Sequence, residues 1–451
     1  MKTHPIKELL ARRATGAAVG IYSACTANTL VIEAVIEKAV EDNACALIEA
    51  TANQVNQFGG YTQMLPPDFV ALVRGIAAEK GLPAERLILG GDHLGPLTWQ
   101  DEPETRAMDY AKELIRAYVL AGYTKIHIDT SMMLADDDKS RKLPEDVIAR
   151  RAAELAEVAE AAFAELAAAA EADGSAESLI APIYVIGSEV PIPGGAQEND
   201  AGITVTTPAQ FEQTYESFRE TFCARDLQDA FGRIVAVVVQ PGVEFSDATV
   251  SEYDRAAAAG LCAALKNYPG VVFEGHSTDY QTRAGLRQMV EDGIAILKVG
   301  PALTFALREA LFALSDIETE VFAARSGAAG ALSKPSDFKT VLLRTMRDDP
   351  TYWHNYYHHD AQSDITFKLK YSFSDRCRYY LPRQEVAAAQ DLLIKNIDAA
   401  EVPLSVLGQY MPTQYTRVRE KQLPLTAAAL IKDHIKERIS DYCFATYPAT
   451  L

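Results

Sequence analysis

The fold is decided by the stretch GAAVGIYSACTANTLVIEAVIEKAVEDNACALIEA, residues 16–50. Its first part, residues 16–23, is a short apolar run that predicts a strand, and residues 28–43 have the apolar spacing of a helix. Residues 44–50 form a second short apolar run. A strand, a helix and another strand in this order predict two parallel strands joined by a crossover helix.

The same strand–helix unit recurs until about residue 320. The strands are near-continuous apolar runs, which is typical of strands buried on both faces. Eight such units predict an α/β fold whose parallel strands close into a (β/α)₈ TIM barrel. An open doubly wound sheet is disfavoured, because the turn after the first strand (SACTANT, 23–29) contains no glycine. The predicted strands are residues 16–23, 44–50, 85–91, 124–130, 181–189, 233–240, 270–276 and 295–300, and the helix after the last strand is predicted at 301–314.

The alternation stops after about residue 320. We therefore assign residues 1–320 to the barrel and residues 321–451 to a mainly helical C-terminal region. An aromatic-rich stretch at 351–381 suggests that this region packs on the barrel or on a partner. His354, His358 and His359 lie in that stretch without a companion carboxylate, and we interpret them as packing or surface residues.

The composition excludes several classes of partner. Acidic residues number 62 against 43 basic ones, and the resulting net charge of −19 repels nucleic-acid backbones and anionic lipids. No run approaches the roughly 18 apolar residues of a membrane span, and the first residues do not resemble a secretory signal. The six cysteines are scattered and form no C-x-x-C pair. We expect a cytoplasmic protein with reduced cysteines that binds neither nucleic acid nor membranes.

Polar side chains gather where the predicted strands end. Reactive groups of TIM barrels come from the carboxyl ends of strands and the loops that follow, so the convergence of all eight ends predicts a site. The candidates are Ser23, Asn28, Glu49, Asn53, Asp92, His93, Asp129, Glu189, Gln240, His276, Ser277, Thr278, Asp279 and Lys298, with Cys25 in a loop near the same end.

Three of these side chains predict a metal site. His93, Glu189 and His276 offer two imidazoles and a carboxylate, a ligand set that suits Zn²⁺, Mn²⁺ or a similar cation. Zn²⁺ is our first choice, and Mn²⁺, Ni²⁺ and Co²⁺ are alternatives. Because the three residues follow different strands, their spacing along the chain does not give their geometry.

The neighbouring polar residues leave alternatives open. Asp92 is either a general acid–base group for a substrate hydroxyl or a hydrogen-bond partner that orients an imidazole. His127 and Asp129 share one face of the fourth strand. We interpret His127 as a buried core histidine and Asp129 as the better candidate for the site. Lys298 either binds a phosphate or pairs with an acidic neighbour.

Several motifs together resemble a known family, the accessory Z-type subunits of class II D-tagatose-1,6-bisphosphate aldolase. The resemblance covers nearly the whole chain. The motifs are GGDHLGP (90–96), KIHIDTS (125–131), VIGSEVPIPGG (185–195), EGHSTDYQT (274–282), LKVGPALTFALREAL (297–311) and LGQYMPTQY (407–415).

The resemblance implies roles for single residues. Asp92 and His93 are similar to the catalytic aspartate and a metal histidine of class II aldolases, Glu189 to their E-L-G glutamate, and His276 to the metal histidine after the seventh strand. Where aldolases carry another metal histidine after the sixth strand, this chain has Gln240, whose carboxamide is an alternative ligand. The loops GHSTDY and KVGPAL also differ from the aldolase loops near the substrate phosphate.

Three functions are compatible with these observations. The first is metal-dependent retro-aldol and aldol chemistry at C3–C4 of a ketose or ketose phosphate, with a catalytic class II aldolase chain as partner. The second is a stand-alone ketose 4-epimerase of the fructose/tagatose type, which cleaves and re-adds without needing phosphate loops. The third is a non-catalytic stabilising subunit. A kinase of the P-loop type is not indicated, because the chain has no Gly-rich phosphate loop. We expect a homo-oligomer.

Overall fold

The computed structural model describes residues 2–188, 203–325, 334–357 and 360–446. These residues contain ten strands: β1 Ile21–Cys25, β2 Ala46–Thr51, β3 Leu87–Leu94, β4 Lys125–Ile128, β5 Ile183–Ile186, β6 Ile234–Val239, β7 Glu244–Phe245, β8 Val250–Ser251, β9 Val272–Gly275 and β10 Ile294–Val299.

Eight of the strands form a closed parallel barrel in the order β1-β10-β9-β6-β5-β4-β3-β2. The (β/α)₈ prediction is therefore confirmed. The remaining two, β7 and β8, pair antiparallel in the loop after β6, a hairpin that was not predicted.

Seventeen α-helices accompany the strands among the described residues. They are α1 Pro5–Ala11, α2 Thr29–Glu41, α3 Pro66–Lys80, α4 Glu104–Ala121, α5 Glu145–Asp173, α6 Pro208–Cys223, α7 Gln228–Phe231, α8 Arg255–Ala264, α9 Arg283–Glu291, α10 Pro301–Arg325, α11 Phe338–Asp348, α12 His354–Tyr357, α13 Gln362–Tyr371, α14 Gln384–Ala399, α15 Leu404–Tyr410, α16 Pro412–Arg419 and α17 Ala427–Thr446.

Helix α10 runs eleven residues beyond its predicted end, from residue 314 to Arg325. The reason is that its buried face continues: Ile317 lies three residues after Leu314, and Val321 lies four residues after Ile317. The predicted end of the barrel at residue 320 therefore falls inside a helix.

The barrel interior has an apolar lower half. Ile21, Leu47, Ile88 and Ile296 fill it, and helix α1 covers its lower end with Ile6. Above this layer the interior becomes polar, so the site rests on a dry, packed base.

The C-terminal helices pack directly on the barrel. Helix α17 lies against α2, α9 and α10. Its Tyr442 hydroxyl donates to the Thr278 carbonyl at 2.9 Å, beyond the end of β9. The region predicted at 321–451 thus touches the loops that carry the site. Over the residues described, no helix is long and apolar enough to cross a membrane.

Candidate metal and sugar site

A pocket opens at the carboxyl end of the barrel. Seven of the predicted residues line it: Asn53, Asp92, His93, His276, Ser277, Asp279 and Lys298. These seven residues, which follow different strands, therefore lie around one pocket. Its remaining lining residues include Cys25, Gln54, Tyr61, Arg378 and Tyr379.

At the floor of the pocket lies a cluster of three imidazoles and one carboxylate: Asp92, His93, His127 and His276. One ligand atom from each lies within 4.8 Å of all the others, and all four side chains are buried. The ring centroids of the histidines are 4.9 Å apart for His93–His276 and 5.1 Å apart for the other two pairs.

The donor set of this cluster fits a divalent cation. Neutral imidazoles and a carboxylate are the ligands that zinc and related metals prefer. Nε2 of His127 is buried without a hydrogen-bond partner among the residues described, which is unusual for a buried nitrogen. Nδ1 of the same ring accepts from the His93 backbone N–H at 3.1 Å and lies 3.0 Å from Asp92 Oδ1, so both contacts of the ring are made through Nδ1.

The backbone at His93 explains why two adjacent residues share the cluster. Neighbouring strand residues normally point to opposite faces. His93 has a φ of 48°, in the left-handed region, so the alternation breaks at the end of β3 and both Asp92 and His93 face the pocket. Ser277, directly after His276, has a φ of 52°. A non-glycine residue in this region costs of order 1–3 kcal/mol, and such strain is typical of functional sites.

Two further carboxylates hold the imidazoles in place. Asp129 Oδ2 lies 2.8 Å from Nδ1 of His93, and Glu274 Oε1 lies 3.0 Å from Nε2 of His276. A carboxylate behind a histidine fixes its tautomer and ring orientation, as is common for metal ligands.

A ladder of buried charges supports the cluster from below. Nζ of Lys125 lies 2.7 Å from a carboxylate oxygen of Glu49 and 2.7 Å from one of Glu274. Lys298 contacts Glu49 as well and lies 3.0 Å from Asp92. Gly90 leaves the room for this ladder, because a Cβ there would lie 2.5 Å from the Glu49 carboxylate. The buried charges are therefore paired.

Burial and neighbouring charge shift the pKa values in this site. Burial opposes charge on Asp92, but the adjacent imidazoles hold the pKa of its carboxyl well below the usual range. Burial lowers the pKa of His276. Burial acts in the same direction on His93, but the carboxylates of Asp92 and Asp129 outweigh it and raise the pKa of that imidazole. Burial lowers the pKa of Lys298 to about 8.

Other predicted residues lie beside the pocket and have structural partners. Ser23 Oγ lies 3.4 Å from Nζ of Lys298. Asn28 Oδ1 accepts from the backbone N–H groups of Leu30 and Val31 at the start of α2. Thr278 Oγ1 donates to the Lys298 carbonyl at 2.5 Å.

One predicted metal ligand, Gln240, is not part of the cluster. Gln240 Oε1 accepts from the backbone N–H groups of Gly242 and Val243, so its carboxamide oxygen stabilises the turn that directly follows it. Glu189 lies outside the described residues, as do His358 and His359. His354 is exposed, in keeping with a surface position.

From the sequence, His127 was interpreted as a core residue and Glu274 was not predicted to belong to the site. His127 is buried and hydrogen-bonded, as expected for a core histidine, but it also faces the cluster. The available signal was a charged or ionisable side chain inside an apolar strand, as in KIHI and VFEG. Tyr61, Arg378 and Tyr379 gave no comparable signal, because they reach the pocket from distant loops.

A family model described as "D-tagatose-1,6-bisphosphate aldolase subunit GatZ/KbaZ-like" matches residues 6–447. The crystal structure of a probable tagatose 6 phosphate kinase from Sinorhizobium meliloti 1021 is 41% identical, with a TM-score of 0.82, over 94% of this chain and 100% of that chain.

Two further solved structures match at low sequence identity. A fructose-bisphosphate aldolase from Campylobacter jejuni is 14% identical with a TM-score of 0.43, over 87% of this chain and 92% of that one. The fructuronate-tagaturonate epimerase UxaE from Cohnella laeviribosi is 13% identical with a TM-score of 0.41, over 95% and 82% respectively.

Proposed function

Because the chain belongs to the D-tagatose-1,6-bisphosphate aldolase subunit GatZ/KbaZ-like family, we propose that it carries out metal-dependent aldol chemistry at C3–C4 of a ketose or ketose phosphate. The resemblance seen in the sequence motifs is thereby confirmed at the level of the family. The reaction, its metal and its substrate are our proposal.

One observation carries the proposal, namely the buried cluster of Asp92, His93, His127 and His276 at the pocket floor. These four side chains would hold the cation, with Zn²⁺ our first choice. A divalent cation bound there supplies Lewis-acid polarisation of a ketose carbonyl. The carboxylates of Asp129 and Glu274 keep two of the imidazoles oriented for it.

In the cleavage direction the C3–C4 bond breaks and its electron pair passes to C3, giving an enediolate. The hydroxyl at C4 loses its proton and C4 becomes an aldehyde carbon. Asp92 supplies the carboxylate of the cluster and lines the pocket, so we assign it the C4 proton.

The family description as an aldolase subunit supports a second chain as partner. We propose a catalytic class II aldolase chain for that role. The alternative is that this chain only stabilises the partner. Turnover of the purified chain alone, set against turnover and lifetime of the mixture, separates the two: a stabilising subunit prolongs the partner's activity and has none of its own.

A second candidate, a stand-alone ketose 4-epimerase, is favoured by Asp279. TIM barrels often receive a substrate phosphate at the helix N-terminus after the last strand. Here Asp279 Oδ1 accepts from the N–H groups of Gly300 and Ala302 at that position, at 3.0 and 2.8 Å. A carboxylate already in this place favours a substrate without a phosphate at that end.

The test is metal content combined with turnover. We expect His127→Ala to lose bound metal and to reduce turnover by about 1000-fold or more, since a catalytic cation contributes several kcal/mol. The exposed His354→Ala is the matched control and should keep both. Fructose, tagatose and their phosphates serve as substrates, and the products distinguish cleavage from epimerisation. Full activity of His127→Ala without metal would refute the proposal.

A further inference from the structure

We propose that Tyr379 is the proton donor to C3 of the enediolate, which places a catalytic residue of the barrel in the C-terminal helical region. The inference rests on the proposed function, because it assigns the fate of the fragment which that reaction forms. Tyr379 lies 80 residues beyond Val299, where the last barrel strand ends, and no role was predicted for it from the sequence.

The position of Tyr379 supports this role. It lines the pocket together with Asp92, His93 and His276. Its ring is clamped between two others: Tyr352 stacks on it at 4.8 Å with an interplanar angle of 7°, and Tyr61 meets it edge-on at 4.7 Å. The phenol is therefore held in one orientation at the pocket wall, as a proton donor must be.

The partners of the hydroxyl favour its loss of a proton. Arg378 Nη2 donates to the Tyr379 oxygen at 3.0 Å. The Arg378 guanidinium is itself anchored, because its Nη1 donates to the carbonyls of Ser374 and Asp375. A second guanidinium, that of Arg376, lies 5.8 Å from the ring centroid. A phenolate at this position would accept a charge-assisted hydrogen bond.

The charges around the phenol act in the same direction. The groups that face it are Arg378, Arg376, Asp375, Tyr61 and Tyr352. Burial by itself raises the pKa of a phenol, but the two guanidinium groups, that of Arg378 foremost, bring the pKa of Tyr379 below its ordinary value. Burial raises the pKa of the neighbouring Tyr61, which lines the same pocket.

The other ionisable groups that line the pocket have different tasks. Asp92, His93 and His276 belong to the cluster, and Lys298 is paired with Glu49 and Asp92. The Asp279 carboxylate accepts hydrogen bonds from backbone N–H groups, and the Cys25 S–H donates a hydrogen bond to Asp92 Oδ2. Tyr379 is thus the acid best placed to exchange a proton with substrate among the described pocket residues.

The proton transfer balances without a further reactant. After C3–C4 cleavage the enediolate takes the proton of the Tyr379 hydroxyl: the O–H bond breaks, a C3–H bond forms, and the ketone fragment is released. The phenolate remains beside Arg378 and regains a proton from water, and Asp92 releases the C4 proton to water, so both groups return to their starting states. Without this transfer the enediolate persists and re-adds to the aldehyde. Tyr379 therefore favours cleavage over epimerisation.

The test compares Tyr379→Phe with Tyr123→Phe, which removes the hydroxyl of a buried phenol outside the pocket. Metal-loaded protein is incubated with dihydroxyacetone in D₂O, and deuterium uptake at the hydroxymethyl carbon is followed by NMR. We expect Tyr379→Phe to slow this exchange about 100-fold or more, as for loss of a general acid. Tyr123→Phe should stay within about threefold of wild type. Equal exchange rates in Tyr379→Phe and wild type would overturn the proposal.

A second readout does not depend on turnover. Ultraviolet titration of tyrosinate should show one phenol that ionises below about pH 10, the ordinary value for tyrosine. This ionisation should persist in Tyr123→Phe and disappear in Tyr379→Phe, and its absence from wild type would overturn the assignment. If wild type shows the ionisation but no exchange, the proposed aldol function fails and the proton transfer fails with it, while Tyr379 remains an acidic phenol.

Discussion

Lys125 shows how much a single residue contributes to this site. It is fully buried and stands between Glu49 and Glu274, which in turn contact Lys298 and His276. Removing one partner from a buried ion pair leaves an uncompensated charge, which costs more than the pair contributed. The orientation of the cluster therefore depends on a lysine that the sequence argument left among the apolar strand residues.

We expect Lys125→Met to destabilise the protein by about 3–5 kcal/mol, because the Glu49 and Glu274 carboxylates both lose the buried positive charge of Lys125. Urea unfolding followed by circular dichroism measures this. Lys80→Met is the control: its ion pairs with Glu33 and Glu37 are partly exposed, and we expect a loss of about 1 kcal/mol or less. Similar stability of the two variants would show that the ladder is not a structural support.

At the scale of elements, helix α1 closes the lower end of the barrel and depends on an N-terminal histidine. His4 Nδ1 accepts from the Ile6 N–H at 3.1 Å, and Nε2 lies 3.2 Å from Thr124 Oγ1. Burial, reinforced by the charges of Lys125 and Lys7, lowers the pKa of His4 to about 3. The folded protein thus keeps this imidazole neutral.

This pKa predicts an acid sensitivity with a definite sign. The unfolded chain binds the proton near pH 6.5 and the folded chain only near pH 3, so the unfolded state carries more protons in between. Stability is then lost as the pH falls from about 6.5 towards 3, by at most about 1.4 kcal/mol per pH unit. His4→Asn keeps a capping acceptor but does not titrate in this range, so this contribution to the pH dependence of the unfolding free energy should vanish. Unfolding free energies at pH 5 and 7 test it, and identical slopes would contradict the assignment.

At the scale of the whole molecule, the C-terminal helices are part of the barrel's packing. Helix α17 buries Leu430, Ile431, Ile435 and Ile439. Lys432, on the same helix, lies 2.9 Å from Glu33 on α2. Arg378 and Tyr379 complete the pocket wall. The predicted division at residue 320 therefore separates segments that share one core and one pocket.

We expect a chain ending at residue 320 to lack a cooperative unfolding transition, since it exposes the apolar surfaces of α2, α9 and α10 that α17 covers. Calorimetry of the truncated and full chains measures this. Tyr442→Phe is the milder variant: losing its hydrogen bond to the Thr278 carbonyl should cost about 1 kcal/mol. A cooperative transition in the truncated chain, with Tyr442→Phe unchanged, would show that the barrel is autonomous.

The sequence by itself determined the barrel and the approximate place of its site. Local apolar patterns identify strands and helices, and closure of eight parallel strands brings their carboxyl ends together, so Asp92, His93 and His276 were predictable as neighbours. Only the tertiary structure decided the exact members of the cluster. The left-handed turn at His93, the inward face of His127 and the approach of Tyr379 depend on strand register and on packing between segments far apart in the chain, which local patterns do not encode.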